Sequence, residues 1–554
     1  MTREELLGRL ASEPFDILVI GGGIVGAAIA RDAALRGLKV ALVEQGDFAG
    51  GTSSKTSKLI HGGLRYLEHG RLRLVYESLR ERRVLRTIAP ALVHPLPIAL
   101  PVYDGSPRAP WQIGLGLRLY EWLAMGQALP ADGPAVVGVS QRRPRLVSAH
   151  EALRLEPALR AQGLRAAGLF TDCQMDDARL CLAHVLQAVS FGAVCCNYVR
   201  LRTLLKARQR VCGGVGEDLL RGRSLEIHAQ VVVNATGPWS DEVRRLSDGQ
   251  APRRLAPTKG IHLILPRFTR EALCVQARAD RRMLFILPWG DYSLVGTTET
   301  AIEDESLETL SAEAEEVGYL LEEVNHVVQG DRVDEGDVLG TYAGARPLLA
   351  FTGGATRASR EHRIEEDRWG LVSVMGGKYT TARLMAKQVM DLLVRGRRWR
   401  VDRCLTDQVS LMEGVHPMGV DHWQELTRDV DPALLARLLT RYGAGALRIL
   451  QLIDQDAALA QPVCPHHDHV AAELVYAMQE ELACTVTDLL ARRTRIAWSS
   501  CQGLDLLSTA ADLLQRYGRV TPAEVHEQME AYRRFLASGL SFRAGAAKVQ
   551  QGVG

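Results

Sequence analysis

A glycine-rich turn near the start of the chain has the residue types and spacing of a nucleotide-binding site. Gly21-x-Gly23-x-x-Gly26 lies between the apolar run 15–20 and an alanine-rich helical pattern. Gly21 allows the tight bend, Gly23 lets a pyrophosphate approach the backbone, and Gly26 lets helix and strand pack closely. Glu44 ends the next apolar run, where a carboxylate can accept hydrogen bonds from ribose hydroxyls. The pattern predicts a dinucleotide site on a βαβ unit.

Two later glycine turns favour FAD over NAD as the dinucleotide. Residues 230–243 and 371–393 each place a small-residue turn after an apolar run, the second with Gly376 before a patterned helix. NAD needs neither turn, whereas the longer FAD must carry its isoalloxazine ring to a second domain. The positive end of the later helix would stabilise the reduced ring. The residues expected to bind FAD in these turns are Ala235, Thr236, Gly237, Gly377, Lys378 and Thr380.

The polar stretch 51–70, GTSSKTSKLIHGGLRYLEHG, follows the second apolar run and has no strong periodicity. Its hydroxyls and lysines suit the pyrophosphate and ribityl chain of FAD, and its paired glycines permit close approach. A solvated turn is the alternative interpretation. The residues predicted to bind the cofactor here are Thr52, Ser53, Ser54, Lys58, Gly62 and Gly63.

The elements that must position these residues are spread along the chain. Strand-rich segments at 255–266, 283–300 and 336–349 predict an antiparallel sheet, and amphipathic helices dominate after about residue 400. We therefore predict an α/β plus α fold with a discontinuous Rossmann-like FAD-binding domain, an antiparallel-sheet substrate domain and a C-terminal helical domain. The predicted segments are 1–100, 166–254 and 346–400 for FAD binding, 101–165 and 255–345 for the substrate domain, and 404–540 for the helical domain.

Composition narrows the class of protein. The net charge of +2 gives no general reason to bind nucleic acid, and ten cysteines without a CxxC pair indicate reduced thiols in a cytoplasmic protein. The N-terminus has no apolar signal core, and no run reaches the about 18 apolar residues of a spanning helix. Residues 110–130 are apolar and aromatic, which fits either a helix packed on a domain core or an element lying in a membrane interface.

Two groups of potential metal ligands are interpreted without a metal. Asp172, Asp176 and Asp177 precede a helical pattern, where an aspartate caps the helix. The histidine-rich PHHDH at 465–469 has no recognised ligand spacing, so we expect a solvated surface. No metal site is predicted.

A set of motifs in one order resembles a known family. FDILVIGGGIVG, GTSSKTSKLIHGGLRYLE, FTDCQMDDARL, VVVNATGPW, KGIHLIL, FILPWGDYSLVGTT, YAGARPLL and VMGGKYTTAR are similar to those of FAD-dependent glycerol-3-phosphate dehydrogenases of the aerobic, quinone-linked type. The resemblance runs from about residue 15 to at least residue 500. The chain has no room for the calcium-binding extension of mitochondrial members, so the bacterial form is expected.

The resemblance implies a reaction and its partners. sn-Glycerol 3-phosphate would be oxidised to dihydroxyacetone phosphate by hydride transfer from C2 to N5 of FAD, and a membrane quinone, ubiquinone or menaquinone, would take the electrons. The family is usually a homodimer bound peripherally to the inner face of the cytoplasmic membrane. Two alternatives stay open: a glycerol-3-phosphate oxidase that uses O₂, and an amine or amino-acid oxidase of the same flavin superfamily. A flavoprotein scaffold without activity is a third.

The same resemblance assigns roles around the substrate. Arg65 and Arg346 would bind the phosphate, because the planar guanidinium matches a phosphate dianion. Tyr66 and Lys378 would lie close by. His262, in the KGIH segment, is our first choice for the general base that takes the hydroxyl proton. Lys378 could instead tune the flavin or the alkoxide, so His262, Arg346 and Lys378 are the expected catalytic residues.

Overall fold

The computed structural model describes residues 2–124, 143–302, 306–350, 361–411, 427, 430–518 and 520–543, without the side chains of residues 65, 68 and 69. Its helices before the C-terminal region are Arg3–Ser12 (α1), Ile24–Leu35 (α2), Leu72–Ile88 (α3), Pro110–Ala124 (α4), Ala149–Leu155 (α5), Asp177–Ser190 (α6), Ser240–Ser247 (α7), Ala314–Val327 (α8) and Ala382–Arg397 (α9). Its strands are Phe15–Ile20 (β1), Val40–Val43 (β2), Leu59–Ile60 (β3), Val93–Tyr103 (β4), Arg145–Ser148 (β5), Leu164–Met175 (β6), Val194–Cys196 (β7), Val199–Ala207 (β8), Arg210–Asp218 (β9), Arg223–Asn234 (β10), Thr258–Pro266 (β11), Ala272–Gln276 (β12), Met283–Trp289 (β13), Tyr292–Gly296 (β14), Thr300–Ala301 (β15), Gly340–Arg346 (β16), His362–Glu366 (β17), Val372–Gly376 (β18), Pro462–Cys464 (β19) and His467–Val470 (β20).

The first sheet is mainly parallel and carries the glycine turns. Its strand order is β17-β18-β10-β1-β2-β7, with β9 and β8 extending from β10. Strands β18, β10, β1, β2 and β7 run parallel, and β17 is antiparallel. Apolar side chains of α2, α6 and α9 cover one face, and those of α1 cover the other. Burial on both faces explains why these strands read as continuous apolar runs.

The second sheet is mainly antiparallel and lies beside the first. Its strand order is β15-β11-β14-β13-β12-β4-β6-β3, with β16 paired to β11 and β5 paired to β6. One pair, β4 with β12, is parallel. Helix α8 covers one face, and α3 and α4 cover the other. Strand β11, next to one end of this sheet, therefore lies between helical layers, with β14 and β16 on its two sides.

The C-terminal region forms a helical domain with its own apolar core. Its helices are Pro432–Tyr442, Gly445–Gln455, Ala471–Gln479, Leu507–Tyr517 and Pro522–Ser538. Arg493 joins this domain to the loop after β2 by donating two hydrogen bonds of 2.8 and 2.9 Å to the buried carboxylate of Asp47. Gly539 joins it to β16, because its carbonyl accepts hydrogen bonds from both the backbone N–H and the hydroxyl of Thr341.

The predicted fold class is confirmed, while two segments differ from the predicted division. Strands β4 and β6 lie in the second sheet, although residues 1–100 and 166–254 were expected to bind FAD. The sequence could not show this, because a buried strand has the same apolar pattern in either sheet. In addition, β6 leads directly into α6, which packs on the first sheet. The rest of the division stays a prediction. None of the helices within the described residues is long and apolar enough to cross a bilayer.

A buried ion pair holds the polar stretch against the start of α6. The Lys58 ammonium donates to Asp177 and to the carbonyl of Ser54, both at 2.6 Å, and 7% of the Lys58 side chain and 1% of the Asp177 side chain are exposed. Thr56 also donates to Asp177 from its hydroxyl at 2.7 Å. Residues 54–58 are thereby fixed to a helix that packs on the first sheet.

We expect Lys58→Met to lower the free energy of unfolding by about 3–5 kcal/mol, because it leaves the carboxylate of Asp177 buried without a counter-charge. Burial already raises the pKa of Asp177 and Lys58 opposes this, so the variant carboxyl should take up a proton more readily. The variant should then lose less stability at about pH 5 than at about pH 8.

Chemical denaturation at both pH values measures this effect. Lys387→Met is the matched control, because Lys387 pairs with Asp391 on an exposed helix face, with 40% of the Lys387 side chain accessible. That change should cost about 0.5 kcal/mol or less. Equal losses in the two variants would contradict a structural role for the buried pair.

Candidate active site

A large cavity of about 1460 Å³ runs along the carboxyl ends of the parallel strands and reaches the second sheet. This edge of an open α/β sheet is where such folds bind ligands. All three glycine turns contribute to its walls. The predicted cofactor residues that line it are Gly21, Gly23, Glu44, Thr52, Ser53, Gly63, Ala235, Thr236, Gly237, Gly377, Lys378 and Thr380.

The first turn has no space for side chains. Gly21 has a φ of +104°, and a Cβ on Gly26 would lie 1.9 Å from the carbonyl oxygen of Gly21. Gly26 does not line the cavity, and its role is to bring α2 against the turn. Helix α2 begins at Ile24 with Gly23 as its N-cap, so its positive end faces the cavity. Ser53 accepts a hydrogen bond of 3.0 Å from the N–H of Ile24.

Glu44 is held in place by backbone donors. Its carboxylate accepts hydrogen bonds from the N–H of Gly22 at 2.7 Å and of Gly46 at 2.8 Å. Burial raises the pKa of Glu44, and these donors oppose the shift. Each carboxylate oxygen keeps a lone pair for a further donor, as binding of ribose hydroxyls requires.

Of the two lysines in the polar stretch, Lys58 was predicted to bind the cofactor, but Lys55 is the one that lines the cavity. Lys58 and Ser54 do not line the cavity, because the ammonium of Lys58 is turned away and bound to Asp177. Lys55, which sequence analysis did not select, lines it, and its ammonium has no acceptor among the residues that the structure describes. Burial and then the charge of Arg492 lower the pKa of Lys55 to about 8. Lys55 is therefore a cation available to an anionic ligand.

Gly62, predicted to bind the cofactor, does not line the cavity and instead allows close packing. Its N–H donates to Asp172 at 3.1 Å, and a Cβ would lie 2.2 Å from the hydroxyl of Tyr120. Asp172 also accepts from Tyr120 and pairs with Arg82, while Asp176 caps α6 as expected. These aspartates thus have separate structural partners.

His262 lies in β11 at the wall of the cavity and is 3% exposed. Its Nε2 is 2.8 Å from the hydroxyl of Ser57, and its ring stacks on Tyr342 with centroids 4.9 Å apart. Its Nδ1 has no hydrogen-bond partner among the described residues. Burial, then the charges of Arg346 and Lys58, hold the pKa of His262 well below its usual range. The imidazole is therefore neutral near pH 7.

Two cations also line the cavity. The Nη2 of Arg346, at the end of β16, donates to the hydroxyl of Thr297 at 2.8 Å and to the carbonyl of Thr298 at 2.9 Å. Lys378 donates to the hydroxyl of Ser78 at 2.8 Å, and its ammonium lies 4.1 Å from the ring centroid of Tyr66. The side chain of Arg65 lies outside the described residues, so its role stays a prediction.

Sequence analysis did not identify several residues of this site. Ser57 and Tyr342 orient His262, and Thr297 orients Arg346. Each of these contacts joins residues that are far apart in the sequence, so no sequence pattern shows them. Arg492 enters the cavity wall from the helical domain. Lys55 and Ser57 had a signal, as a second lysine and a further hydroxyl in the same polar stretch.

The site suits FAD. The cavity joins a glycine turn with no space for Cβ atoms, a carboxylate held for ribose hydroxyls, and the positive end of α2. It then continues to His262 and Arg346 on the second sheet. The third turn, with Gly377, Lys378 and Thr380, also lines it.

Comparisons with known proteins agree with this fit. The family model for FAD dependent oxidoreductases matches residues 16–392, and the model for the C-terminal domain of alpha-glycerophosphate oxidase matches residues 404–525. The fold and site thus define an FAD-dependent oxidoreductase, and FAD is its cofactor.

Similarity over most of the chain narrows this class. Glycerol-3-phosphate dehydrogenase 2 of Mycobacterium tuberculosis is 35% identical over 539 residues, which cover 95% of this chain and 88% of the relative. The glycerol-3-phosphate dehydrogenase of Synechocystis is 35% identical over 546 residues, covering 94% and 96%. The crystal structure of the Bacillus halodurans glycerol-3-phosphate dehydrogenase complexed with FAD is similar with a TM-score of 0.77, 26% identity and 97% coverage of both chains. The chain belongs to the FAD-dependent glycerol-3-phosphate dehydrogenase family.

We expect Gly26→Ala to weaken FAD binding by more than about tenfold, or about 1.4 kcal/mol. The added methyl would meet the carbonyl of Gly21 and push α2 away from the turn. The ratio of flavin to protein absorbance after gel filtration measures the loss. Gly318→Ala, in α8 where a Cβ has no neighbour within 4 Å, should keep the wild-type ratio. Full flavin content in Gly26→Ala would refute the packing argument.

Proposed function

We propose that this protein oxidises sn-glycerol 3-phosphate to dihydroxyacetone phosphate and passes the electrons to a membrane quinone. The observation that carries the proposal is that His262, Arg346 and Lys378 all line the cavity that contains the three glycine turns. FAD supplies the acceptor for the hydride that leaves C2. The chain must bind the phosphate, exclude water and remove the hydroxyl proton.

Phosphate binding falls to the cations. Arg346 is pre-oriented because Thr297 and Thr298 fix one side of its guanidinium. Lys378 adds a second positive charge, held by Ser78. Two fixed cations favour a dianion over the single carboxylate of an amino acid. This charge balance supports a phosphorylated alcohol as the substrate.

Proton removal falls to His262. A base must be unprotonated before it reacts, and burial with Arg346 nearby keeps this imidazole neutral. When a phosphate dianion binds Arg346, it offsets the positive charge that lowers the pKa of His262. Substrate binding therefore makes His262 a stronger base at the moment when a proton must be accepted.

We expect His262→Asn to slow flavin reduction at saturating glycerol 3-phosphate by about 10²- to 10⁴-fold, the usual contribution of general-base catalysis. FAD content should not change, because His262 lies at the substrate end of the cavity. Anaerobic stopped-flow absorbance measures the rate. His228→Asn is the control, since its side chain is 57% exposed. Rates within twofold of wild type would exclude His262 as the base.

The face of α4 at the cavity mouth supports a quinone acceptor from the membrane. Trp111, Leu115 and Trp122 are 67%, 61% and 60% exposed, and their spacing places them on one side of the helix. Trp111 and Leu115 also line the cavity. Exposed aromatic residues on an amphipathic helix favour an interfacial position. The resemblance further implies a homodimer at the inner face of the cytoplasmic membrane.

We expect the double variant Trp111→Ser, Trp122→Ser to bind vesicles at least tenfold more weakly, because it removes two aromatic anchors. Co-sedimentation with vesicles of bacterial phospholipids measures this affinity. Phe191→Ser is the control, since Phe191 is 46% exposed at the end of α6. Equal vesicle binding by the double variant would exclude α4 as the membrane contact.

One experiment tests substrate and acceptor together. Under anaerobic conditions glycerol 3-phosphate should bleach the flavin, and a soluble quinone analogue should restore the oxidised spectrum. Glycine and proline should leave the spectrum unchanged, whereas reduction by them would indicate an amino-acid oxidase. Rapid peroxide formation in air with no quinone reduction would indicate the glycerol-3-phosphate oxidase.

A further inference from the structure

A cluster of two cysteines and a histidine lies in the helical domain, outside the FAD cavity. The ligand atoms of Cys464, His467 and Cys501 are all within 4.8 Å of one another, and the Sγ of Cys501 is 3.3 Å from the Nε2 of His467. Cys464 ends β19 and pairs in register with His467 at the start of β20. Cys501 comes from a loop 34 residues after His467.

The donor set and its spacing have the chemistry of a zinc site. Tetrahedral zinc with bonds of about 2.3 Å to sulfur and about 2.0–2.1 Å to nitrogen places its ligand atoms roughly 3.3–3.8 Å apart. The contact between Cys501 and His467 already has this length. Two thiolates would balance the charge of Zn²⁺, and the imidazole must be neutral to bind it.

A carboxylate lies beside the hairpin, and a hydroxyl contacts two of the three residues. His466 is 3.9 Å from the carboxylate of Asp505. Ser499 places its hydroxyl 2.9 Å from the Nε2 of His467 and 3.4 Å from the Sγ of Cys501. Thiols are weak hydrogen-bond donors, so polar contacts alone give little reason for this grouping.

We propose that Cys464, His467 and Cys501 bind one zinc ion, with the fourth position taken by water. Binding releases the two thiol protons to solvent and involves no oxidation. No recognised ligand signature appears in the sequence, because two ligands lie in a short hairpin and the third lies in a distant loop. The fold alone brings them together.

The cluster is placed to position the active-site histidine. The loop that carries Cys501 begins just after Trp498, whose ring packs edge-on against Tyr342 with centroids 5.7 Å apart. Tyr342 in turn stacks on His262. Zinc would clip this loop to the hairpin β19–β20 and so hold Trp498 behind Tyr342. The ion therefore has a positioning role, because it does not touch substrate or FAD.

The holoenzyme tests the site directly. Protein made without a polyhistidine tag and purified without chelator should contain about one zinc per chain by mass spectrometry. Replacing zinc with Co²⁺ should give the thiolate-to-cobalt charge-transfer band, which needs no variant and so does not depend on variant folding. Cys501→Ser should lose the metal and the band, while Cys212→Ser, in β9, should keep both.

Several results would overturn the proposal. Metal-free protein that gives no cobalt band has no such site, and a disulfide between Cys464 and Cys501, detected by alkylation and mass spectrometry, would exclude it. The positioning role has its own readout: zinc removal should change the fluorescence of Trp498 and lower the midpoint of thermal unfolding with FAD content unchanged. Bound zinc whose removal alters neither quantity would refute that role. None of these measurements depends on the substrate proposed above.

Discussion

The ion pair between Lys58 and Asp177 is the interaction on which the active site depends. It lies between the two sheets and fixes the backbone that carries Ser53 toward the first turn and Ser57 toward His262. The ammonium of Lys58 also lies 5.1 Å from the ring centroid of Tyr342, the ring on which His262 stacks. A buried pair contributes specificity of position more reliably than net stability. Here it sets the position of the first glycine turn relative to His262.

The sequence allowed prediction of the features that depend on local geometry. Gly21, Gly26 and Glu44 are recognisable because a tight turn and a strand-end carboxylate have fixed spacing. The places of Lys55 and Lys58 could not be predicted, because the same residue type three positions apart points in opposite directions once Asp177 is near. Strand β6 was assigned to the other sheet for a similar reason: an apolar strand does not identify its partners. Long-range contacts decide both cases.

The helical domain takes part in the active site. Arg492 lies in the cavity wall. Its charge lowers the pKa of Lys55, as a smaller effect than burial. Trp498 packs behind Tyr342, which supports His262. A change in this domain can therefore alter charge and position at the site without touching a ligand. The glycine turns of the first sheet, His262 and Arg346 of the second sheet and Arg492 of the helical domain thus line one cavity.

The hydrogen bonds from Thr341 to Gly539 have a consequence for biosynthesis. Strand β16, which carries Arg346, pairs on one side with β11, and Gly539 follows the helix Pro522–Ser538. A ribosome must therefore add almost two hundred residues after β16 before this contact can form. That takes roughly 10 s or more of translation. The glycine turn around Gly21 is complete long before that. A nascent chain can thus begin its parallel sheet early, but it completes that sheet only with β18. It fixes β16 to the helical domain only after the helix Pro522–Ser538 has left the exit tunnel.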